Sequence, residues 1–248
     1  MKDWHKLEPD VTRLMNKHFN YGRAGHKIDK VVVHHNAGVL TVDQIWQVWQ
    51  TRQASAHYQV ESGGRIGQLV YDDNVAWHAA NAHANQTSIG IEISNSGGAA
   101  QDWPVAQKAI EEAGKLIGAV CYAKKLGRPR HGVNVFDHRR WTNTSCPHHL
   151  AAGGKYHNQL MGHAVAHYDW MANPAPTPEE DVMAADLNTI ITTDTGEKHR
   201  AQDLIKWTDG RVYELTREGG TLDVMSKTQG RIEDKLDRLL GDKEDDGK

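Results

Sequence analysis

The sequence predicts an α/β fold in which a central mixed β-sheet is flanked by helices, and three observations predict it. Short β-branched runs typical of buried strands alternate with longer segments whose apolar residues recur at helical spacing. A four-residue turn signal between two extended segments indicates an antiparallel hairpin. Strands connected through helices are instead expected to pair in parallel. Together these patterns predict a mixed sheet within residues 1–172.

The first strand and the first helix follow from local patterns. Residues 30–33 form a short β-branched run, which predicts a buried strand. Residues 41–52 carry apolar side chains at helical spacing and predict an amphipathic helix. Thr41 or Asp43 is the expected N-cap of this helix, because short oxygen-bearing side chains accept from the free N–H groups of the first turn.

The later elements of the domain complete the sheet and cover it. Residues 56–60 and 65–70 flank Glu61-Ser62-Gly63-Gly64, which predicts a hairpin. Residues 88–93 alternate like a strand with one buried face. Residues 104–126 are a long stretch with apolar periodicity, so we expect a helix that packs on the sheet.

A change of composition divides the chain at residues 173–181, where three prolines at every second position favour an extended, solvated linker. Residues 1–178 carry 18 Lys and Arg against 14 Asp and Glu, a net charge of +4 (18 − 14). Residues 179–248 carry 11 against 18, a net charge of −7 (11 − 18). We therefore predict a first domain, residues 1–172, and a small second module, residues 182–248.

The second module is predicted to contain a hairpin and a terminal helix. Residues 187–193 and 204–215 look strand-like, and Asp209-Gly210 is a turn signal. Residues 241–248 are expected to be a disordered tail. The helix is expected to pack on its own module or to join a homo-oligomeric coiled coil. Its apolar positions are spaced by about three, four or seven: Leu222, Met225, Ile232, Leu236 and Leu239.

Composition excludes several classes of protein. No apolar run approaches the ~18–20 residues of a membrane span. Residues 1–6 lack the apolar segment of a secretory signal, so we expect a cytoplasmic chain that does not insert into membranes. Two cysteines are too few for a disulfide scaffold. The net charge of −3 and the lack of a dense basic stripe argue against nucleic-acid binding.

Three side chains that are distant in sequence suggest a metal site. His34 follows a predicted strand, and His138 and Cys146 lie in one later loop. Two imidazoles and a thiolate suit Zn²⁺, and three protein ligands leave a fourth position open, as in catalytic sites. On residue types alone, the alternative that these are ordinary core or surface residues stays open.

Five segments, taken in order, resemble the type 2 N-acetylmuramoyl-L-alanine amidases, a family that includes phage lysozyme-type amidases, cell-wall recycling amidases and peptidoglycan recognition proteins. Beyond the α/β fold predicted above, the resemblance implies peptidoglycan as the substrate and Zn²⁺ as the cofactor. The segments are residues 31–38 (VVVHHNAG), 55–60 (SAHYQV), 75–81 (VAWHAAN), 88–92 (SIGIE) and 138–147 (HRRWTNTSCP).

Carried over residue by residue, the resemblance implies that His34, His138 and Cys146 hold zinc. Some relatives have Asp at the third ligand position, and a thiolate there predicts tighter binding and greater selectivity for zinc. Glu92 stands where some relatives place a catalytic carboxylate, and a Glu among apolar strand residues is hard to bury without a task. The alternative for Glu92 is a side chain that points to solvent from an edge strand.

Further motif residues are expected to contact substrate. Trp77, His78 and Asn81 resemble the motif of the substrate cleft, although Trp77 could instead belong to the core. His78 could also stabilise the transition state. His57 either lines the cleft or packs the sheet.

The sequence departs from many phage-type relatives at two positions. Ala56 and Thr144 stand where those relatives have Tyr and Lys, and neither replacement can move protons as a phenol or ammonium does. Catalysis is then expected to rest on Glu92, with Thr144 donating at most a hydrogen bond to the substrate or oxyanion.

The leading hypothesis is a phage endolysin that stays in the host cytoplasm until a separate holin allows its release to the wall. A non-catalytic peptidoglycan-binding receptor and a cellular wall-recycling amidase are the alternatives. The second module is expected to bind the wall or to mediate oligomerisation.

Overall fold

The computed structural model describes residues 4–173 and, by their backbone, four short strands beyond them. The chain divides into two compact units, Met1–Asn173 and Pro174–Lys248. Within residues 4–173 the helices are α1 (Val42–Thr51), α2 (Ala82–Thr87), α3 (Gln107–Ala123) and α4 (His157–Ala172). The strands are β1 (Val11–Thr12), β2 (Phe19–Asn20), β3 (Lys30–His35), β4 (Tyr58–Val60), β5 (Ile66–Gln68), β6 (Val75–Ala76), β7 (Ser88–Ile93) and β8 (Val135–Asp137).

The main sheet of the first unit is mixed, as predicted. Its six strands lie in the order β1-β5-β4-β7-β3-β8. The pairs β3–β7, β3–β8 and β4–β7 are parallel, whereas β4 and β5 form the predicted antiparallel hairpin. Strands β2 and β6 form a separate antiparallel pair. Parallel β3, β7 and β8 end at the same edge of the sheet, where the loops that follow them converge.

The predicted helices form where their sequence signals indicate. Thr41 is the N-cap of α1: its side chain accepts from the Gln44 N–H, and the Gln44 side chain accepts from the Thr41 N–H. This reciprocal capping box satisfies two N–H groups that the helix cannot pair internally. Helix α3 lies within the predicted residues 104–126 and contributes most of the helical side of the core.

Helix α4 is not among the predicted elements, and its packing explains why. It buries only three side chains, Leu160, Ala164 and Met171, so its apolar stripe is narrow. It packs on α3 at two glycines: a Cβ at Gly114 would lie 2.4 Å from the His163 Cβ, and one at Gly118 would lie 2.5 Å from the Ala164 carbonyl oxygen. The helix packs through close backbone approach at these glycines and lacks the wide stripe of large apolar side chains from which sequence patterns predict a helix.

The larger cluster of the apolar core lies between the sheet and α3, and a second cluster includes the buried face of α1. The largest fully buried side chains of the larger cluster include Tyr58, Ile89, Ile91, Ile110 and Ile117. Cys121 of α3 is fully buried there as a free thiol, as expected for a small apolar residue. In the part of the chain that the structure describes, no helix is long and apolar enough to cross a membrane.

The second unit contains two antiparallel pairs, β9 (Ile190–Thr192) with β10 (Lys198–Arg200), and β11 (Glu214–Glu218) with β12 (Thr221–Met225). The prediction of a terminal helix that begins at residue 222 is therefore wrong for its first residues, because residues 222 and 225 lie in β12. Gly219-Gly220 joins β11 to β12, and Gly-Gly is a hairpin signal that outweighs a two-residue match to helical spacing. The rest of that helix, the linker after residue 173, the Asp209-Gly210 turn and the tail lie outside the described residues.

Candidate metal centre

The three predicted metal ligands meet at one edge of the sheet. His34 lies in β3, His138 directly follows β8, and Cys146 belongs to the loop beyond it. Their ligand atoms all lie within 4.8 Å of one another, and the His34 Nδ1 is 3.8 Å from the Cys146 Sγ. Because β3 and β8 are parallel neighbours, residues more than 100 positions apart in sequence become adjacent.

The cluster fits a metal ion by the chemistry and state of its donors. The His138 Nε2 is buried and has no hydrogen-bond partner among the described residues, and such an orphaned group costs ~1–3 kcal/mol unless something binds it. Two imidazoles and a sulfur are a set that zinc prefers. Tetrahedral bonds of ~2.0–2.3 Å would separate N and S by about 3.5 Å, close to the 3.8 Å observed between the His34 Nδ1 and the Cys146 Sγ.

The surroundings of the cluster favour neutral imidazoles, and they favour the thiolate form of Cys146 only when a cation is bound beside it. Burial lowers the pKa of His34 and of His138, so both rings are uncharged ligands at neutral pH. Burial, and then the Glu92 carboxylate, raise the pKa of the Cys146 thiol. A thiolate–imidazolium pair, as in a cysteine nucleophile, is therefore disfavoured, and the thiolate form calls for a metal ion beside it.

A chain of hydrogen bonds sets the tautomer of His34. The Ser88 hydroxyl donates to the Ala84 carbonyl, so its oxygen accepts from the His78 Nε2–H at 3.1 Å. The His78 Nδ1 is then the acceptor for the His34 Nε2–H at 3.0 Å. The His34 Nδ1 is left with a lone pair on the side of Cys146, which is the state that binds a metal.

His78 thus lies behind a ligand of the centre rather than in an open cleft. It is buried, with 8% of its surface exposed, and its ring contacts His34 edge-on. Gly90 of β7 makes room for it, because a Cβ at that position would lie 2.6 Å from the His78 Cγ. This position lets His78 orient His34 through the 3.0 Å hydrogen bond, and its predicted contact with substrate stays a prediction.

Glu92 is held beside the metal ligands by two amides. It is the Cα register partner of His34 across β3 and β7, in the interior of the sheet and not on an edge strand. The Asn36 Nδ2 donates to the Glu92 Oε2 at 2.8 Å, and the Gln59 Nε2 donates to the Asn36 Oδ1 at 2.7 Å. Burial raises the pKa of Glu92 to about 7, although the Asn36 bond and the Arg52 charge lower it. A carboxyl with this pKa can both take and give a proton near neutral pH.

Thr144 supports the loop that carries the third ligand. Its Oγ1 accepts from the Cys146 backbone N–H at 3.2 Å. That bond leaves the hydroxyl proton uncommitted, so the predicted hydrogen bond to substrate stays a prediction.

Trp77 and Asn81 line a groove of about 520 Å³ together with Asn20 and Tyr21. The Trp77 Nε1 donates to the Asn20 Oδ1 at 2.6 Å, and the Tyr21 side chain is 87% exposed. The Asn81 side chain also accepts from the Ala84 N–H and caps α2. Trp77 is only partly buried, so its ring forms a wall of the groove rather than a part of the core.

His57 packs inside the domain. It has no exposed surface, its Nδ1 accepts from the Gly90 N–H at 3.0 Å, and its Nε2 lies 2.9 Å from the Arg23 guanidinium. Burial, and then the Arg23 charge, lower the pKa of His57 to about 3, so the ring is neutral. Of the two roles predicted for His57, this placement supports packing of the sheet and not contact with substrate.

Sequence reasoning missed the groups that position the site. Asn36, Gln59 and Ser88 hold Glu92 and the His34–His78 pair, but amides and hydroxyls carry no signal of their own in sequence. All three lie in segments that resemble the amidase family, residues 31–38, 55–60 and 88–92, and that position was the available signal. His35, the second of the pair, hydrogen bonds through its Nδ1 to the Asn95 Oδ1 at 3.2 Å and is not among the clustered ligands.

A sequence model of the N-acetylmuramoyl-L-alanine amidase family matches residues 24–149. This is 126 of the 248 residues (149 − 24 + 1), more than half of the chain. The chain belongs to that family. The match includes all nine predicted site residues of this amidase family member, from His34 to Cys146.

Two curated relatives align with part of this chain. It is 31% identical over 116 residues to N-acetylmuramoyl-L-alanine amidase A of Achromobacter lyticus, which aligns 46% of this chain and 59% of that protein. It is 29% identical over 141 residues to endolysin PlyTW of Staphylococcus phage Twort, aligning 54% of this chain and 29% of the endolysin. This chain therefore spans less than two thirds of the length of either relative.

Solved structures share the fold at low identity. PlyL superposes with a TM-score of 0.51 and 19% identity, over 63% of this chain and 97% of PlyL. The hydrolase AmiA of Staphylococcus aureus, solved in complex with its ligand, superposes with a TM-score of 0.55 and 17% identity, over 66% of this chain and 86% of AmiA. At these identities the likeness of this chain to both structures shows the fold alone.

Proposed function

We propose that the chain hydrolyses, with zinc, the amide bond between N-acetylmuramic acid and L-alanine in peptidoglycan. The observation that carries the proposal is the cluster of His34, His138 and Cys146 beside the Glu92 carboxyl, within the segment that matches the amidase family. The names of the relatives, an amidase and an endolysin, agree with this substrate.

A metal held by His34, His138 and Cys146 would polarise the scissile carbonyl as a Lewis acid and would lower the pKa of a bound water. The chain supplies the proton transfers. Glu92 in its carboxylate form takes a proton from the attacking water as the water oxygen bonds to the carbonyl carbon. The same group then gives that proton to the amide nitrogen as the carbon–nitrogen bond breaks, so the free amino terminus of L-alanine leaves. Asn36 orients the carboxyl through both steps by its 2.8 Å hydrogen bond.

The groove that Trp77 and Asn81 line is the proposed site for the glycan or stem peptide, although none of the three candidate metal ligands is among its lining residues. Tyr21 and Trp77 offer aromatic faces, and Asn20 and Asn81 offer amides, a combination that suits sugars and peptides because flat rings cover apolar faces while amides pair with hydroxyl and peptide groups. Trp77 follows β6 and directly precedes His78, which links this groove in sequence to the metal-binding side of the sheet.

The biological role that we propose is that of a phage endolysin. The chain would stay in the host cytoplasm until a holin releases it to the wall, and its second module would bind the wall or mediate oligomerisation. The similarity to endolysin PlyTW supports this role. A non-catalytic peptidoglycan receptor is the second candidate, because Ala56 and Thr144 cannot move protons as the Tyr and Lys of many phage-type relatives can.

Mass spectrometry of purified cell walls digested by the full chain tests the proposal. We expect intact stem peptides that carry free L-alanine amino termini, because only the amide bond is cut. New reducing ends on the glycan would instead identify a glycosidase. Wall binding without any released fragment would identify the receptor.

A further inference from the structure

A second cluster of metal-ligating side chains lies next to the proposed zinc centre. Asp102, His148 and His149 have ligand atoms within 4.8 Å of one another. Asp102 ends the short helical turn Ala99–Gln101, and the two histidines open the turn His148–Leu150. His148 is two residues beyond Cys146, but the two clusters share no residue.

Each of the two imidazoles in this cluster lies near a different oxygen of the Asp102 carboxylate. The His149 Nε2 lies 2.8 Å from the Asp102 Oδ2, and the His148 Nε2 lies 3.6 Å from the Asp102 Oδ1. The Asp102 side chain is 72% exposed, whereas those of His148 and His149 are 25% and 24% exposed. The carboxylate side is therefore open to solvent, and an ion could enter without movement of the core.

His148 is the side chain whose position hydrogen bonding does not explain. Its Nδ1 is buried and has no hydrogen-bond partner in residues 4–173 or the described strands. Its Nε2 faces the Asp102 oxygen at 3.6 Å, which is beyond hydrogen-bond length. His35 stacks on the ring at 5.7 Å, but the His35 Nδ1 is bonded to Asn95. The His148 Nε2 is the nitrogen on the Asp102 side of the ring, so it is the atom that an ion beside Asp102 and His149 would bind.

The donor set and its spacing suit a divalent ion of the first transition row. Two imidazole nitrogens and one carboxylate are donors that Fe²⁺, Co²⁺, Ni²⁺ and Zn²⁺ accept. Metal bonds of ~2.0–2.2 Å would separate neighbouring ligand atoms by about 3.0–3.5 Å, and the observed 2.8 and 3.6 Å lie on either side of that interval. We propose that Asp102, His148 and His149 bind a second divalent transition-metal ion, independently of the zinc centre.

An ion at this position would connect two loops that are distant in sequence. One is the turn that ends at Asp102, and the other is the segment 146–150, which carries Cys146. The ion would therefore hold the Cys146 loop in place from outside the zinc centre. The rival explanation is a simple His149–Asp102 ion pair with no metal, which predicts a single ion per chain.

Cobalt binding to the metal-free full chain separates these explanations. Bound cobalt is measured by elemental analysis after removal of free ion, and the thiolate-to-cobalt charge-transfer band reports Cys146 alone. We expect two ions per chain and one thiolate-type band. The double variant Asp102→Asn/His149→Gln should bind one ion and keep the band. Cys146→Ala should also bind one ion, but without the band.

The control for the loss of an imidazole is a second pair of adjacent histidines, which is not part of a candidate metal cluster in the described part of the chain. His26 and His83 meet edge-on at 5.2 Å, so His83→Gln removes a comparable imidazole and should leave two ions bound. One ion per wild-type chain, or two ions in the double variant, would overturn the proposal. If the double variant does not fold, Cys146→Ala decides: one bound ion supports the second site, and none refutes it. Because Cys146→Ala lacks the zinc centre, this result does not depend on the proposed function.

Discussion

Replacing Cys146 by alanine is expected to remove zinc from the amidase centre and to lower wall-degrading activity by about 1,000-fold or more, because a metal supplies several kcal/mol of transition-state stabilisation. The remaining pair, His34 and His138, offers two ligands where catalytic zinc sites have three. Zinc content by elemental analysis and the rate of stem-peptide release from purified walls measure the two effects.

The other cysteine provides a matched control. Cys121 is fully buried in α3, away from the ligands, and burial raises the pKa of its thiol to about 12. Cys121→Ala should therefore keep its zinc and its rate, with a modest loss of thermal stability from the small cavity. Full activity in Cys146→Ala, or an equal loss in both variants, would contradict the assignment of Cys146 as a ligand.

The variant Glu92→Gln is expected to keep its zinc and to lose activity by roughly 100-fold or more, the usual scale for a general acid/base. Glutamine has nearly the same shape and can still accept from Asn36 through its carbonyl oxygen, but it cannot take up a proton. The loss should appear in kcat and not in KM, because the group transfers protons in the chemical step and does not bind substrate. Zinc content, kcat and KM are the measurements.

Glu111 of α3 serves as the control for the loss of a carboxylate. It is a surface residue paired with Lys108 and Lys115, so Glu111→Gln should change neither zinc content nor rate. A Glu92→Gln variant with near wild-type kcat would show that another group moves the protons. A variant that loses its zinc would show that Glu92 stabilises the ligands rather than the reaction.

The elements that sequence predicted best are those with strong local signals. The β-branched run before His34, the Thr41 cap and the Gly63-Gly64 turn each act over a few residues, so their outcome needs no tertiary information. Helix α4 and strand β8 were not predicted because their stability comes from packing against distant segments: α4 depends on Gly114 and Gly118 of α3, and β8 pairs with β3 across about 100 residues.

The site shows the same division. His34, His138 and Cys146 were predicted as a set because their segments resemble those of the amidase family, whereas thiol and imidazole groups alone left ordinary core or surface residues as an alternative. The structure brings all three together. The orienting roles of His78 and Asn36 could not be derived from sequence, since both depend on which atoms the fold places within 3 Å. The packing of His57 against Arg23 was equally hidden, because a buried imidazole and a cleft imidazole have the same sequence signature.

The most direct test of the amidase assignment is the release of stem peptides from purified walls by metal-free protein before and after addition of zinc. We expect no release of stem peptides from the metal-free chain. Addition of zinc should restore release in proportion to the zinc bound by His34, His138 and Cys146, with L-alanine at each new amino terminus. Equal release without metal, or continued inactivity of a chain that has bound zinc at Cys146, would contradict the assignment.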